Sequence, residues 1–342
     1  MIALVRALER AWYRPARWPI LLAPLGTLFA ALAAWRRGRL QRRYQGRRFA
    51  APVVVVGNIG LGGTGKTPLL LALAARLRER GRRPGIVSRG YGGRPGPDPV
   101  LVTPAHGAAV VGDEPLLLAQ ASGCPVVVCP DRRAAVAWLL AHCDCDLVLS
   151  DDGMQHYRLH RDFEIAVIDG VRGLGNGRCL PAGPLREPPG RLAEVDAVVI
   201  NGGSFRFSGV AQPPGVATLR MALRPLGLRQ LATGRWLAAP ALPADWGAER
   251  RVHAVAAIGN PQRFADSLHA LGLIVELRAL PDHHPLGAAE LTFADALPVV
   301  ITAKDAVKCA GIADPRVWVL EVAAEMAESD WSELLARIEN LV

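Results

Sequence analysis

Val53-Val54-Val55-Val56-Gly57-Asn58-Ile59-Gly60-Leu61-Gly62-Gly63-Thr64-Gly65-Lys66-Thr67-Pro68 decides the architecture of this chain. Four successive Val residues read as a strand covered on both faces. Gly60 to Thr67 then fits G-x-x-x-x-G-K-[ST], and the Leu/Ala run after Pro68 reads as a helix, so the loop has the strand-before, helix-after context its chemistry needs. Glycines let backbone N–H groups wrap phosphates, the helix N-terminus adds positive potential, Lys66 reaches the β and γ phosphates, and Thr67 offers a hydroxyl to Mg²⁺. Gly60, Gly62, Gly63, Thr64, Gly65, Lys66 and Thr67 are therefore candidate ligands of ATP or GTP with Mg²⁺.

Outward from this loop, short apolar runs alternate with Ala/Leu/Arg stretches of helical character. A helix is expected near Pro68 to Gly81, a strand at GIVSRG, a helix after Glu114, a strand at PVVVC, a helix near Arg132 to His142, and strands at LVLSDD, EIAVIDG and DAVVING. Apolar strands separated by helices imply a doubly wound, mostly parallel α/β sheet of the P-loop NTPase type. Between Gly202 and Arg250 the sequence turns irregular and rich in Pro, Gly and Ala, which reads as a domain junction. A second, smaller α/β series follows: VHAVAAIGN, a helix through Phe264 to Leu271, IVELRAL, LPVVITAKDA and VWVLEV. It closes on an amphipathic helix near Ser329 to Leu341.

The formal charge of +9 is concentrated at one end, because residues 1–50 hold eleven Arg and one acid, Glu9, and the remaining 292 residues sum to −1. A basic groove for nucleic acid would spread over the folded domain, so the charge is read as addressed to a membrane surface. Trp18 to Trp35 carries no charge over 18 residues, with Arg6, Arg10, Arg14 and Arg17 before it and Arg36, Arg37, Arg39, Arg42, Arg43, Arg47 and Arg48 after it. As a helix it covers about 27 Å against a bilayer core of about 30 Å. Pro19, Pro24 and Gly26 leave a segment dipping into one leaflet and a true crossing both open, with a cleaved signal peptide as a third reading. The Arg excess behind it keeps the rest of the chain cytoplasmic.

Six cysteines in apolar contexts do not form a secreted disulfide framework, and Cys143-Asp144-Cys145 has no partner pair at zinc spacing. Only three of the 40 basic residues are lysines, Lys66, Lys304 and Lys308, which marks each as a place where a compact ammonium could matter.

A second nucleotide-site element should be an apolar strand ending in acids near the metal, and Leu147 to Asp152 supplies it, although Asp-Asp-Gly also reads as a plain turn. A guanine-reading Asn-Lys-x-Asp is missing after any strand. The early signature Lys of partition-type ATPases is replaced by Leu61.

Together GNIGLGGTGKTP (57–68), SRGYGG (88–93), VGDEP (111–115), DDGMQH (151–156), PAGPLRE (181–187), IGNPQRF (258–264), PDHH (281–284) and TAKDAVK (302–308) resemble the tetraacyldisaccharide 4′-kinase family of lipid A biosynthesis, in order and over nearly the whole chain. The resemblance implies transfer of the ATP γ-phosphate to the 4′-hydroxyl of a tetraacylated disaccharide 1-phosphate, giving lipid IV-A. It implies Asp113 as catalytic base, partnered by His283 from the second domain, since a sugar hydroxyl must lose its proton as phosphorus is attacked. Read alone, Asp113 is also a good helix cap, and His283-His284 an ordinary polar loop. Asp282 could fix either imidazole's tautomer.

By the same resemblance Asp151, Asp152 and Glu187 stand near Mg²⁺, Arg186 and Arg89 contact phosphate, and Gln155 and His156 complete the site strip. Read bare, Arg186-Glu187 is a solvated surface pair. Ala303 stands where the family pattern leads us to expect Glu. The implied domains are 1–48, a membrane-associated segment; 49–215, the P-loop kinase domain; and 216–342, the smaller C-terminal α/β domain, whose last helix is free to pack back on the kinase domain. The expected setting is the cytoplasmic face of the bacterial inner membrane, with an acylated disaccharide lipid as substrate and no nucleic acid or obligate protein partner. The competing class is a membrane-tethered P-loop switch or assembly ATPase that hydrolyses nucleotide without phosphorylating a lipid.

Overall fold

The computed structural model describes the chain except at residues 1, 15, 17, 45, 204, 206–214, 240, 242–245 and 248 and the side chains of 2–7. Arg17, the Arg6 side chain and much of the stretch expected to be irregular after Gly202 thus lie outside the described residues. The helices are α1 (Ile2–Tyr13), α2 (Ala23–Tyr44), α3 (Lys66–Glu79), α4 (Ala108–Val111), α5 (Asp113–Ala121), α6 (Arg132–His142), α7 (Pro261–Ala270), α8 (Ala288–Leu291), α9 (Ala303–Ala306) and α10 (Glu328–Glu339). The strands are β1 (Val53–Gly57), β2 (Pro84–Ser88), β3 (Val100–Leu101), β4 (Val126–Val128), β5 (Leu147–Asp151), β6 (Phe163–Asp169), β7 (Ala197–Asn201), β8 (Ala217–Gln230), β9 (Trp236–Ala238), β10 (Arg251–Ala256), β11 (Ile274–Ala279), β12 (Val299–Thr302) and β13 (Val317–Met326).

The strands form one sheet in the order β11-β10-β12-β13-β8-β7-β6-β1-β5-β2-β4-β3, with β9 on β8. From β4 to β8 neighbouring strands are parallel, as are β11, β10, β12 and β13. The two parallel halves meet at one antiparallel seam, β8 against β13. β1 is flanked by β5 and β6, and the chain leaves it for β2 on the far side of β5. The phosphate loop therefore opens at a topological switch point, where the connections on either side diverge and leave a crevice.

The seam differs from the sequence reading. Part of the supposed irregular junction is the 14-residue strand β8, hidden by Pro225 and Gly227. Pro225 lies opposite Val322, where β13 shifts register between Glu321 and Val322, so the lost N–H falls at an irregularity in the ladder. One apolar cluster lies within the first half and two within the second, while a fourth is shared between them. The last helix crosses back: Trp331, Leu334, Leu335 and Ile338 of α10 join Leu69, Leu73 and Leu77 of α3 in one buried cluster. Arg76 pairs with Glu328 at 2.5 Å and Arg80 with Glu339 at 2.8 Å along the same contact.

At the N-terminus, α1 was not anticipated, and α2 runs through the Arg block to Tyr44. Trp18–Tyr44 is long and apolar enough to cross a membrane. It is nevertheless tied to the body midway along its apolar run and just after it. A Cβ at Gly26 would come within 2.9 Å of the Cys179 carbonyl oxygen, Arg36 donates to the Gln155 carbonyl at 3.4 Å, and Arg37 pairs with Glu194 at 2.9 Å. Trp18, Ile20, Leu21, Leu25, Leu28, Leu32 and Trp35 stay exposed.

Candidate active site

The loop that ends β1 turns into α3 through Gly65, whose φ of +95° is left-handed. A side chain there is doubly excluded, because its Cβ would stand 2.2 Å from Asn201 Nδ2. That amide instead donates to the Thr64 carbonyl at 2.8 Å, pinning the loop to the end of β7. No side chain caps α3, so its first amides keep their donors and its dipole for a phosphate. The PAGPLRE segment is laced to the same loop: Leu61 N–H donates to Pro184 O at 2.9 Å and Arg186 N–H to Ile59 O at 2.7 Å. This lacing carries Arg186 into the cleft.

Lys66, Asp152, Arg186 and Gln155 form a chain of polar contacts below the loop. Lys66 Nζ lies 3.6 Å from Asp152 Oδ1, and one Arg186 nitrogen donates at 3.2 Å to both Asp152 Oδ2 and Gln155 Oε1. Gln155 Nε2 donates to Asn58 O at 3.1 Å, and Ser88 Oγ donates to Asp151 Oδ2 at 3.0 Å. The two aspartates are held differently. Full burial, with Glu114 and Asp152 nearby, pushes the Asp151 carboxyl up to about 7, whereas at Asp152 burial is outweighed by Lys66, Arg186 and Arg132 and the carboxyl falls to about 2.

Asp151 Oδ1 and Asp152 Oδ1 are buried with no hydrogen-bond partner. Carboxylate oxygens without a hydrogen bond beside a phosphate loop, one of them facing the Lys66 ammonium at 3.6 Å, suit a hard cation. Mg²⁺ takes only one or two carboxylates and fills its shell with phosphate and water, so it fits although no cluster of three metal-ligating side chains occurs among the described residues.

Across the cleft the second half supplies His283, from the loop after β11. Its Nδ1 lies 3.0 Å from both Oδ1 and Oδ2 of Asp113, the first residue of α5 and 170 positions away. Gly92 makes room: a Cβ there would stand 2.9 Å from His283 Nδ1. Tyr91 sets its ring edge-on to the imidazole at 4.7 Å. His283 (φ +60°) and Asp152 (φ +45°) are both non-glycine residues in the left-handed region, a strain that clusters at functional sites. Asp113 is only 3% exposed and His283 lines the cleft, so the route from cleft to carboxylate runs through the imidazole. Burial tends to raise the Asp113 carboxyl, but His283, Lys304 and Lys308 hold it below the usual range. Lys304 Nζ meets Glu114 at 2.8 Å and Asp282 at 3.5 Å, bridging the halves.

The cleft of about 2000 Å³ is lined by residues of both halves. It includes Gly62, Gly63, Thr64, Gly65, Lys66, Thr67, Arg89, Asp151, Asp152, Gln155, His156, Arg186, His283, Ala303 and Lys304. Gly60 stands one step behind, bridged to Leu185. Burial and the Arg132 charge push the His156 imidazole down to about 4, so it is neutral at pH 7.

Glu187, which the family resemblance places near Mg²⁺, is 4% exposed and stands behind the residues that line the cleft. The Tyr157 hydroxyl donates to it, and Arg191 Nε lies 3.3 Å away while Arg191 Nη2 serves Glu164 at 2.5 Å. A desolvated carboxylate needs such partners, and burial still pushes its pKa up.

Several site residues escaped the sequence reading. Buried Arg132 donates to the Asp151 and Asp152 carbonyls at 3.3 Å. Asp169 accepts from Asn260 at 3.2 Å, and Arg263 donates to the Asn201 carbonyl at 2.7 Å. The one available signal was the Gly-Asn pair that follows an apolar run twice, at Gly57-Asn58 and Gly259-Asn260. In the fold Gly259 packs on the phosphate loop, a Cβ there falling 2.5 Å from Gly63 N.

Residues 18–340 match the family model described as Tetraacyldisaccharide-1-P 4′-kinase. A tetraacyldisaccharide 4′-kinase of Chromobacterium violaceum is 50% identical over 345 residues, covering 98% of this chain and 99% of that one. That of Stutzerimonas stutzeri is 48% identical over 326 residues, covering 94% and 93%. The crystal structure of Aquifex aeolicus LpxK in complex with ATP superposes with a TM-score of 0.74 at 27% identity, covering 94% of this chain and 99% of that one.

Proposed function

The chain belongs to the tetraacyldisaccharide-1-P 4′-kinase family, and on that premise we propose how its cleft moves the γ-phosphate of ATP to the 4′-hydroxyl of a tetraacyldisaccharide 1-phosphate, giving lipid IV-A. The enzyme is a kinase of lipid A biosynthesis. One observation carries the mechanism: His283, bonded to the buried Asp113, lines the same cleft as the phosphate loop.

In this reading the amides of Gly60 to Thr67 and the Lys66 ammonium hold the β and γ phosphates, with Arg186 and Arg89 adding positive charge. Thr67, Asp151 and Asp152 would hold Mg²⁺, which when bound neutralises charge on the β and γ phosphates. The sugar hydroxyl gives its proton to the Asp113–His283 pair as its oxygen bonds to the γ-phosphorus, and the bond from that phosphorus to the β,γ-bridging oxygen breaks to release ADP. Asp113 orients the imidazole and balances the charge it gains. Closure of the two halves would exclude water, a competing acceptor. Incubation with γ-³²P-ATP and tetraacyldisaccharide 1-phosphate in detergent micelles should put label in the lipid; label found only as free phosphate supports the switch ATPase instead.

The N-terminal segment brings the enzyme to its substrate, whose acyl chains stay in the bilayer. Because α2 is fastened to the body near Gly26 and again at Arg36 and Arg37, we read it as lying in the interface of the inner membrane's cytoplasmic face rather than crossing. Its apolar side dips among acyl chains and its Arg residues meet anionic head groups. Full-length protein should co-sediment with vesicles containing anionic lipid. Replacing Leu21, Leu25, Leu28 and Leu32 with Ser should release it, and binding unchanged by that variant would refute the assignment.

A further inference from the structure

The chain uses lysine three times, and Lys308 is the one that the nucleotide loop and the Lys304 bridge leave unexplained. Its side chain is 7% exposed. Its Nζ lies 2.8 Å from Asp305 Oδ1 and 3.4 Å from Asp113 Oδ2. Asp305 is fully buried, with Oδ2 accepting from the Ala257 amide at 3.1 Å and the Thr302 hydroxyl at 2.8 Å. That carboxylate is therefore fastened to the ends of β10 and β12, and it aims the ammonium at Asp113. The second half thus grips Asp113 from two directions, with His283 across both oxygens and Lys308 on Oδ2.

We propose that Lys308, held by Asp305, is a positioning residue of the phosphoryl transfer: it fixes the Asp113 carboxylate in the orientation that engages His283 and keeps it negative. The inference rests on reading the Asp113–His283 pair as the proton acceptor. A point charge suits the task, since a compact ammonium can serve one oxygen of each of two carboxylates at once. The charged and titratable groups that face Asp113 are His283 and Tyr91 in front, Lys308 and Asp305 behind, and Glu114, Lys304 and Asp282 beside it. Of these, the Lys308 and His283 side chains contact its oxygens, and the Glu114 backbone N–H donates to Oδ1 at 2.9 Å. Loss of an adjacent cation raises a carboxylate's pKa, so the acid limb of the rate profile should move up.

The test is the pH profile of kcat/KM for lipid phosphorylation by the full-length enzyme in micelles. Lys308→Met alone leaves Asp305 buried and unpaired and endangers folding. The informative variant is the double change Lys308→Met with Asp305→Asn, which removes both charges, beside Asp305→Asn alone. The double variant should move the acid limb upward by about one pH unit and lower kcat about tenfold, with KM for ATP unchanged. Asp305→Asn alone keeps the ammonium and should not move the limb upward. A double variant with wild-type melting and an unmoved limb would make Lys308 merely structural and overturn the inference. Asp113→Asn, run in parallel, separates the premise: wild-type transfer by that variant would sink the base assignment itself.

Discussion

Lys66→Ala lowers kcat/KM for lipid phosphorylation by about 10³-fold or more, the upper end of what removal of one preorganised donor at a developing anion costs. The reason is local charge. Lys66 is the first residue of α3, and its ammonium stands 3.6 Å from Asp152 in a cleft that also holds Asp151. Without it, two carboxylates face the triphosphate, with Arg186 still paired to the Asp152 carboxylate and Arg132 held on the Asp152 carbonyl. Lys66→Arg should rescue little, because a planar fork on a longer stem does not fit the space of a compact ammonium inside the loop. Stability should change little, since Arg186 still neutralises Asp152. Initial rates of label transfer, read beside a thermal melt, check this. A variant within tenfold of wild type would show that the backbone amides alone hold the phosphates.

Asp113→Asn is expected to lower kcat by about 10²- to 10⁴-fold, the range of general-base contributions. KM for ATP should stay near wild type, because Asp113 contacts the second half rather than the phosphate loop. The pH dependence has a definite sign. Burial would raise this carboxyl, but His283, Lys304 and Lys308 hold it below the usual range, so it is ionised throughout the neutral and mildly acidic range. Its contribution to stability is present above the unfolded value of 3.8 and is lost only as pH falls through the lower folded value. The acid limb of kcat/KM attributed to the pair should be missing from Asp113→Asn. A variant that keeps both the limb and the rate would assign the proton to another group.

Much of the first half was legible because its signals are local. A Gly-rich loop between a Val strand and a helix requires only its own residues, and α6 was read from Arg132 to His142 as observed. Strand β8 was not legible. Pro225 and Gly227 argue against a strand, and only the partner strand β13, with its register shift, shows how the ladder accommodates them. Nor was Glu187: next to Arg186 in sequence, it turns inward to Tyr157 and Arg191, residues whose proximity no spacing rule predicts.

By itself the sequence determined that a glycine-rich loop of phosphate-binding pattern follows the first strand, that this loop starts a helix, that two aspartates close the strand beside it, and that the N-terminal stretch is long and apolar enough to cross a membrane. Each follows from backbone constraint or charge within a few residues. Only the tertiary structure decided which carboxylate meets which imidazole. Asp113 and His283 are 170 positions apart and meet because β8 and β13 join two parallel sheets into one, closing both halves over a single cleft. It also decided where Lys308 points, since an ammonium on a flexible stem takes its direction from the buried carboxylate that holds it, and that carboxylate is oriented by an amide 48 residues upstream.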